Sequence, residues 1–416
     1  MKKISIVLLV LIALPLVAPA PVRAIPAFAR KYGFNCMMCH TAYPKLNDWG
    51  QRYRDNGYQL PGQEGREKTL FDSPTPIALR TSTGLNGWNW RNHGGSTIGF
   101  DLMGLDLLAA GVMHKNVSVL LIYTPRLDEP TSDWRGTDPL QPGALESASV
   151  IFNNIIPGAL NLRIGRFEPA VHPFSSKRSY YLLEPYEVYG FVTPLHSFVF
   201  DDNQIGVEAT GHFRCGFKYG AGIVNGTGPT PDNNRFKDLY ANVSQTIGAG
   251  DGQSAGQRIG AFVYYGMQPL MAGGPTSPTG EIAGMDDRYF YRVGGSASLN
   301  WRTLNLQAVY LYGFNEKEAD EPHYADYTFN GGFAELDYAG LYNNRLVASA
   351  LYNWVRPPEW DEERGINAYS SLVRYYFGDW SAVNVALHGE YTFRVVGKGD
   401  RADKESLYSL LMDFGF

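Results

Sequence analysis

From Pro74 to the C-terminus the chain repeats one pattern: apolar and polar residues alternate over about ten positions, a turn follows, and the pattern resumes. Alternation with period two belongs to a sheet whose two faces meet different surroundings. It is plain in Asn305 to Tyr312, in Leu346, Ala348, Ala350, Tyr352 and Trp354, and in Val383, Val385, Leu387, Tyr391 and Phe393. A soluble sandwich would alternate too, so the connections decide. They run short and long in succession. The short ones fall near 157–158, 211–215, 249–253, 301–303, 342–344 and 378–381, the long ones near 126–145, 167–201, 268–286, 315–327 and 356–366. That asymmetry predicts a transmembrane antiparallel β-barrel of about 16 strands beginning at Ile77.

No run after Ile25 approaches the roughly 18 uncharged apolar residues of a spanning helix, so any membrane crossing falls to strands. The last strand, from Ser406, sets Tyr408, Leu410, Met412, Phe414 and Phe416 on one face and ends on an aromatic, like the C-terminal signal of assembled outer-membrane barrels. Trp88, Trp90, Trp301, Trp354, Trp360 and Trp380 near strand ends predict interfacial girdles. Residues 1–24, with Lys2 and Lys3 before an apolar run and a small-residue stretch, read as a cleaved signal peptide. The net charge of −5 and the lack of a long basic stretch argue against a nucleic-acid partner.

Residues 25–76 do not alternate. They predict a small α-helical module, with a helix over Pro44 to Asn56 that carries Leu46, Trp49 and Tyr53 on one stripe and stops at Gly57. Two of the three cysteines lie here, in Cys36-Met37-Met38-Cys39-His40. C-x-x-C-H is the spacing of c-type haem attachment: two thiols add to the porphyrin vinyl groups and the adjacent imidazole supplies the proximal nitrogen. A thioredoxin-like pair would need a βαβ context, and a zinc site a second Cys or His pair. One covalent haem c, held by Cys36 and Cys39 with His40 on iron, is the expectation. Cys215 has no assigned role.

So short a module cannot bury a macrocycle unaided. The module is therefore expected to cap or enter the barrel lumen from the periplasmic end, where a lumen of this size accepts a plug. Met103, His212 and His388, by strand parity, and His172, in a long loop, are the distal-ligand candidates; Met113 and His114, in a turn, are weaker. Lumen charges of both signs are expected from Asp101, Arg163, Glu208, Arg374, Glu390 and Arg394. Acidic residues gather in the long loops, among them Asp128, Glu316, Glu359, Asp361, Glu362 and Glu363. Their summed field would concentrate a divalent cation, or they are solvated loop charges.

The segment Pro26-Ala27-Phe28-Ala29-Arg30, Cys36 to His40, Tyr43 to Gly50 and Asn56-Gly57-Tyr58 resembles the haem segment of the fused outer-membrane cytochrome-porins of iron-oxidising bacteria. The resemblance lies within residues 26–58; the barrel resembles the family in architecture. It implies one-electron transfer across the outer membrane of a Gram-negative bacterium, with extracellular Fe(II) as donor and a periplasmic c-type cytochrome as acceptor. Related segments occur in metal-respiring bacteria, where flow is reversed. A solute-diffusion porin with a haem plug or sensor, and a haem enzyme with an open sixth site, are the competing readings.

Overall fold

The computed structural model describes residues 27–34, 36–72, 77–91, 94–125, 144–183, 185–194, 198–248, 256–269, 287–317, 326–341, 345–377, 384–399 and 402–415. The leader expected at 1–24, the turns at 249–253, 342–344 and 378–381, and most of the loops at 126–145 and 268–286 lie outside these residues.

The N-terminal part holds helix α1 (Ala27–Tyr32), a 3-10 turn (Cys36–Met38), the paired strands β1 (His40–Ala42) and β2 (Lys45–Leu46), and helix α2 (Asp48–Asp55). Sixteen strands follow: β3 (Ile77–Trp90), β4 (Gly95–His114), β5 (Val117–Thr124), β6 (Ala144–Ile156), β7 (Leu160–Phe167), β8 (Gln204–His212), β9 (Phe217–Val224), β10 (Asp238–Ile247), β11 (Gln257–Pro269), β12 (Asp287–Trp301), β13 (Leu304–Asn315), β14 (Tyr327–Leu341), β15 (Leu346–Arg356), β16 (Ile366–Phe377), β17 (Asn384–Val396) and β18 (Asp403–Gly415). Each pairs antiparallel with its neighbours, and β18 returns to pair with β3, so the sheet closes with no free edge. Closure matters because an open row of N–H and C=O groups has no partner in hydrocarbon.

The period-two pattern maps onto the wall as expected. On β15 the odd set Val347, Ser349, Leu351, Asn353 and Val355 is buried inward, while Leu346, Ala348, Ala350, Tyr352 and Trp354 face out. Around the barrel the outward positions are large and apolar: Ile259 is 54% exposed, Val373 53%, Leu410 49%. Such a belt demands an apolar solvent. Tryptophans mark both rims, with Trp88 and Trp90 edge to face at 5.6 Å on one and Trp301, 65% exposed, on the other.

The connections depart from strict alternation in two places at the long end, 91–94 and 397–402. The β9–β10 connection, residues 225–237, belongs to the long set, whereas 91–94 at the same end is short. The long connection near 167–201, expected on the external side, spans 168–203 between β7 and β8 and folds into the lumen instead. It contains the short helix α3 (Glu187–Gly190) and buries Phe174, Tyr180, Tyr181, Tyr186 and Tyr189. Tyr186 stacks on the wall residue Phe333 with ring centroids 3.8 Å apart.

Candidate functional site

Residues 27–72 pack within the lumen at the end of the short connections. Helix α2 begins at Asp48 rather than Pro44, because Lys45 and Leu46 are taken into the β1–β2 pair and Asn47 serves as N-cap, its side chain accepting from Gly50 N at 2.9 Å. Asp48 in the first turn and Arg52 in the last bridge at 2.9 Å and complement the helix dipole. The helix ends at Asn56, and Gly57 follows with φ +62°. Trp49 and Tyr53 stack at 5.7 Å and meet Phe28, Tyr32 and Phe34, which gives the module a small aromatic core.

Asn47 also joins the helix to the C-x-x-C-H segment. Its side-chain amide donates to Met38 O at 3.1 Å, and its backbone N–H donates to Cys39 O at 2.9 Å. Gly50 passes so close that a Cβ there would lie 2.1 Å from Cys39 O, a contact only glycine permits.

The wall grips this module on several sides. Lys45 bridges Glu335 at 2.8 Å and also Asp337, both on β14. Arg258 of β11 donates to Gln51 at 2.7 Å, and Tyr376 of β16 donates to Tyr43 O at 2.5 Å. Arg80 of β3 lies over the Tyr43 ring at 5.8 Å, next to Asp413 of β18. Across the lumen Ser118 donates to Gly57 O at 2.6 Å, Asn161 to Asp55 O at 2.9 Å, and Lys218 pairs with Asp55 at 2.6 Å. Glu335 is shared, for its second oxygen accepts from Tyr186 of the inward loop at 2.7 Å.

Between module and loop lies a cavity of about 650 Å³. Cys36, Cys39 and His40 line it together with Phe28, Tyr32, Trp49 and Tyr53. Neither cysteine is in a disulfide, and burial pushes the Cys36 thiol up to about 11 and the Cys39 thiol up to about 12. His40 Nδ1 lies 3.1 Å from Pro44 O. A carbonyl only accepts, so Nδ1 carries the hydrogen and in the neutral ring Nε2 keeps its lone pair. Burial pushes the imidazole down to about 4, against the pull of the Pro44 and Lys45 backbone, so it is neutral at pH 7. A donor on one nitrogen tied to a backbone carbonyl is the usual orientation of a metal-ligating histidine.

The cavity residues fit a c-type haem: two thiols at the required spacing, a neutral imidazole oriented by the backbone, and an aromatic wall. Cys36 and Cys39 would hold the macrocycle and His40 its iron. Among the described residues no three His, Cys, Asp or Glu side chains cluster as a separate metal site.

The four distal candidates are scattered. His172 lines the cavity, but its Nε2 lies 2.7 Å from Phe200 O and its Nδ1 3.0 Å from Pro169 O, so neither nitrogen as placed turns a lone pair inward. His388 pairs with Glu390 at 3.0 Å behind the inward loop. His212 stands 3.7 Å from Asp55 at the module's foot. Met103 lies on β4 beyond the cavity, its sulfur 3.3 Å from Asn86 Nδ2.

Of the expected lumen charges, Arg163, Glu208, Arg374, Glu390 and Arg394 face inward in pairs with neighbours, while Asp101 is exposed. Sequence reading missed the inward loop. The signal was its aromatic density: Phe174, Tyr180, Tyr181, Tyr186, Tyr189 and Phe191 in one connection are too apolar for a solvated loop.

Fold comparison identifies the class as a 16-strand porin-like barrel. The chain is similar to OmpT of Vibrio cholerae in its trimer form (TM-score 0.52, 11% identity, 82% of this chain and 99% of that one). It is also similar to the anion-selective porin from Comamonas acidovorans (0.53, 13%, 82% and 99%) and to OprB of Pseudomonas putida (0.52, 14%, 90% and 99%). At these identities the likeness is one of fold. No family model and no curated protein matches the sequence.

Proposed function

We propose that the chain is an outer-membrane barrel of a Gram-negative bacterium that carries one covalent haem c in its lumen and moves single electrons across the membrane. The observation that carries this reading is the C-x-x-C-H segment facing a lumen cavity with His40 Nδ1 tied to Pro44 O. Bound there, the haem would supply a one-electron couple whose potential follows its axial ligands and surroundings. The protein's part is to hold that group away from water, to orient His40, and to fill the rest of the lumen. A hydrocarbon layer is roughly 30 Å thick, so a redox centre inside the wall shortens the gap between partners on the two sides. Extracellular Fe(II) is the proposed donor and a periplasmic c-type cytochrome the acceptor. The resemblance of residues 26–58 supports that direction, and the acidic loop at Glu359, Asp361, Glu362 and Glu363 supports a cationic donor.

The test begins with the full chain made in a host that matures c-type cytochromes. A denaturing gel stained for haem should show a band that Cys36→Ser and Cys39→Ser abolish. Anaerobic mixing with Fe(II) at neutral pH should then reduce the haem; no reduction over minutes would overturn iron oxidation as the activity.

A second reading is a solute-diffusion porin with a haem plug, favoured by likeness of fold to porins. Liposomes separate the two. Electron delivery to an enclosed acceptor without sugar leakage supports the conduit, and swelling in a permeant sugar without redox coupling supports the porin. Reduction of enclosed haem from the inside by a periplasmic cytochrome, with electrons appearing on an external metal oxide, would reverse the direction.

A further inference from the structure

We infer that Arg54, Arg163 and Arg178, gathered with the Tyr58 hydroxyl on one wall of the cavity, are the seat for the two propionate carboxylates of the porphyrin. This rests on the haem reading above. All four residues line the cavity that Cys36, Cys39 and His40 also line. They come from three separate parts of the chain: Arg54 from α2, Arg163 from β7 and Arg178 from the inward loop. Thioether bonds would fix the vinyl side of the macrocycle at the cysteines, and the propionates project from another edge. Inside a barrel those carboxylates are costly to bury without cationic partners, and the planar guanidinium fork matches a carboxylate.

The cations are held but not saturated. Arg54 pairs with Asp55 at 2.9 Å, Arg163 with Glu208 at 3.3 Å, and Arg178 with Glu168. Two of these carboxylates are shared: Asp55 also takes Lys218 at 2.6 Å, and Glu208 also accepts from Ala170 N and Tyr240 OH, both at 2.6 Å. A guanidinium offers more N–H donors than one carboxylate takes up, and Arg163 Nε is buried with no partner. Burial holds Arg178 below the usual guanidinium range, and repulsion from Arg54 and Arg163 adds to it. An anion entering the cavity would relieve that repulsion.

Tyr58 is 4% exposed and sits at φ +62°, a conformation few non-glycine residues adopt. The grip of Ser118 on the neighbouring Gly57 O keeps it there. Burial raises its phenol, against the three arginines, so it stays an O–H donor. The strained backbone thus holds a donor beside three cations, next to a hollow.

The experiment uses the haem-loaded full chain and the variants Arg163→Gln, Arg163→Lys and Tyr58→Phe. Covalent loading on the haem-stained gel should be unchanged in all. In spectroelectrochemical titration, Arg163→Gln should shift the oxidised-to-reduced ratio at fixed potential roughly tenfold toward oxidised, since one positive charge near the iron is lost. Arg163→Lys should restore most of that shift. Tyr58→Phe should move upward the pH at which the potential begins to change, because a carboxylate loses a donor; packing changes alone would not alter that pH. If the loaded parent and all variants share one potential and one pH profile, the propionate seat is wrong while the haem reading stands. If the parent carries no covalent haem, both fail. If Arg163→Gln does not accumulate, an unaltered pH profile in Tyr58→Phe is enough to overturn the inference.

Discussion

The wall of the barrel and the filling of its lumen are held by different kinds of force. Between strands the contacts are backbone ladders repeated at every residue, indifferent to most side chains, with an outer face that asks only for apolar character. The filling is held by individual polar contacts. Lys45 to Glu335 and Asp337, Ser118 to Gly57, Asn161 to Asp55 and Tyr376 to Tyr43 are each made once and replaceable by nothing nearby. The wall should therefore absorb substitution, and the filling should be sensitive residue by residue.

The sharpest challenge to that contrast is Lys45→Met. It leaves Glu335 and Asp337 buried without their cation, and breaking such a pair costs about 3–5 kcal/mol. The module should leave its seat, seen as proteolysis of residues 27–72 in a barrel that still runs folded on a cold gel. An intact, protease-resistant module would show that shape alone seats it. Gly50→Ala comes next, because the added methyl meets the Cys39 backbone; overpacking of this kind costs about 1–3 kcal/mol. Protease resistance of residues 27–72 should fall, with urea refolding of the barrel unchanged.

A smaller effect is expected from acid. Burial alone would raise Asp55, but Lys218 and Arg54 hold its carboxyl well below the usual value of 3.8. A depressed acid stabilises fully above its unfolded value and loses that contribution as pH falls through the folded one. Hydrogen-exchange protection of Asp48–Asp55 should thus be flat above about pH 4 and decline below it, and Asp55→Asn should remove the decline. Protection that instead weakens on going from pH 4 to 7 would contradict the sign. Least of all should come from Leu410→Met on the outward face, within about 1 kcal/mol in refolding from urea. A larger loss would mean that this face packs against a specific partner rather than lipid.

The same contrast explains what the sequence disclosed. The wall was legible because period two is written into its regular strands: Leu346 to Val355 and Tyr408 to Phe414 alternate, and the structure orients them accordingly. The candidate site was legible only where chemistry is written in adjacent residues. Cys36, Cys39 and His40 stand together in the chain and together at the cavity. Arg54, Arg163 and Arg178 are distant in sequence and converge only because the loop 168–203 turns inward, and that turn is decided by contacts such as Tyr186 on Phe333 and Glu390 with the Leu182 and Leu183 amides. Long-range pairings of this sort have no local signature. His388 shows the reverse: parity placed it inward, but Glu390 claims it.

The seam of the barrel also dictates an order of events. Strand β3 is the first of the sixteen in chain order and β18 the sixteenth, and the two join beside Tyr43, whose ring lies under Arg80 and against Gly415. The cylinder cannot be sealed until β18 pairs with β3, and once sealed it surrounds the segment that carries Cys36 and Cys39. On the proposed function, a haem fastened to Cys36 and Cys39 before the ring closes needs no passage through the finished barrel, so the topology favours loading ahead of closure.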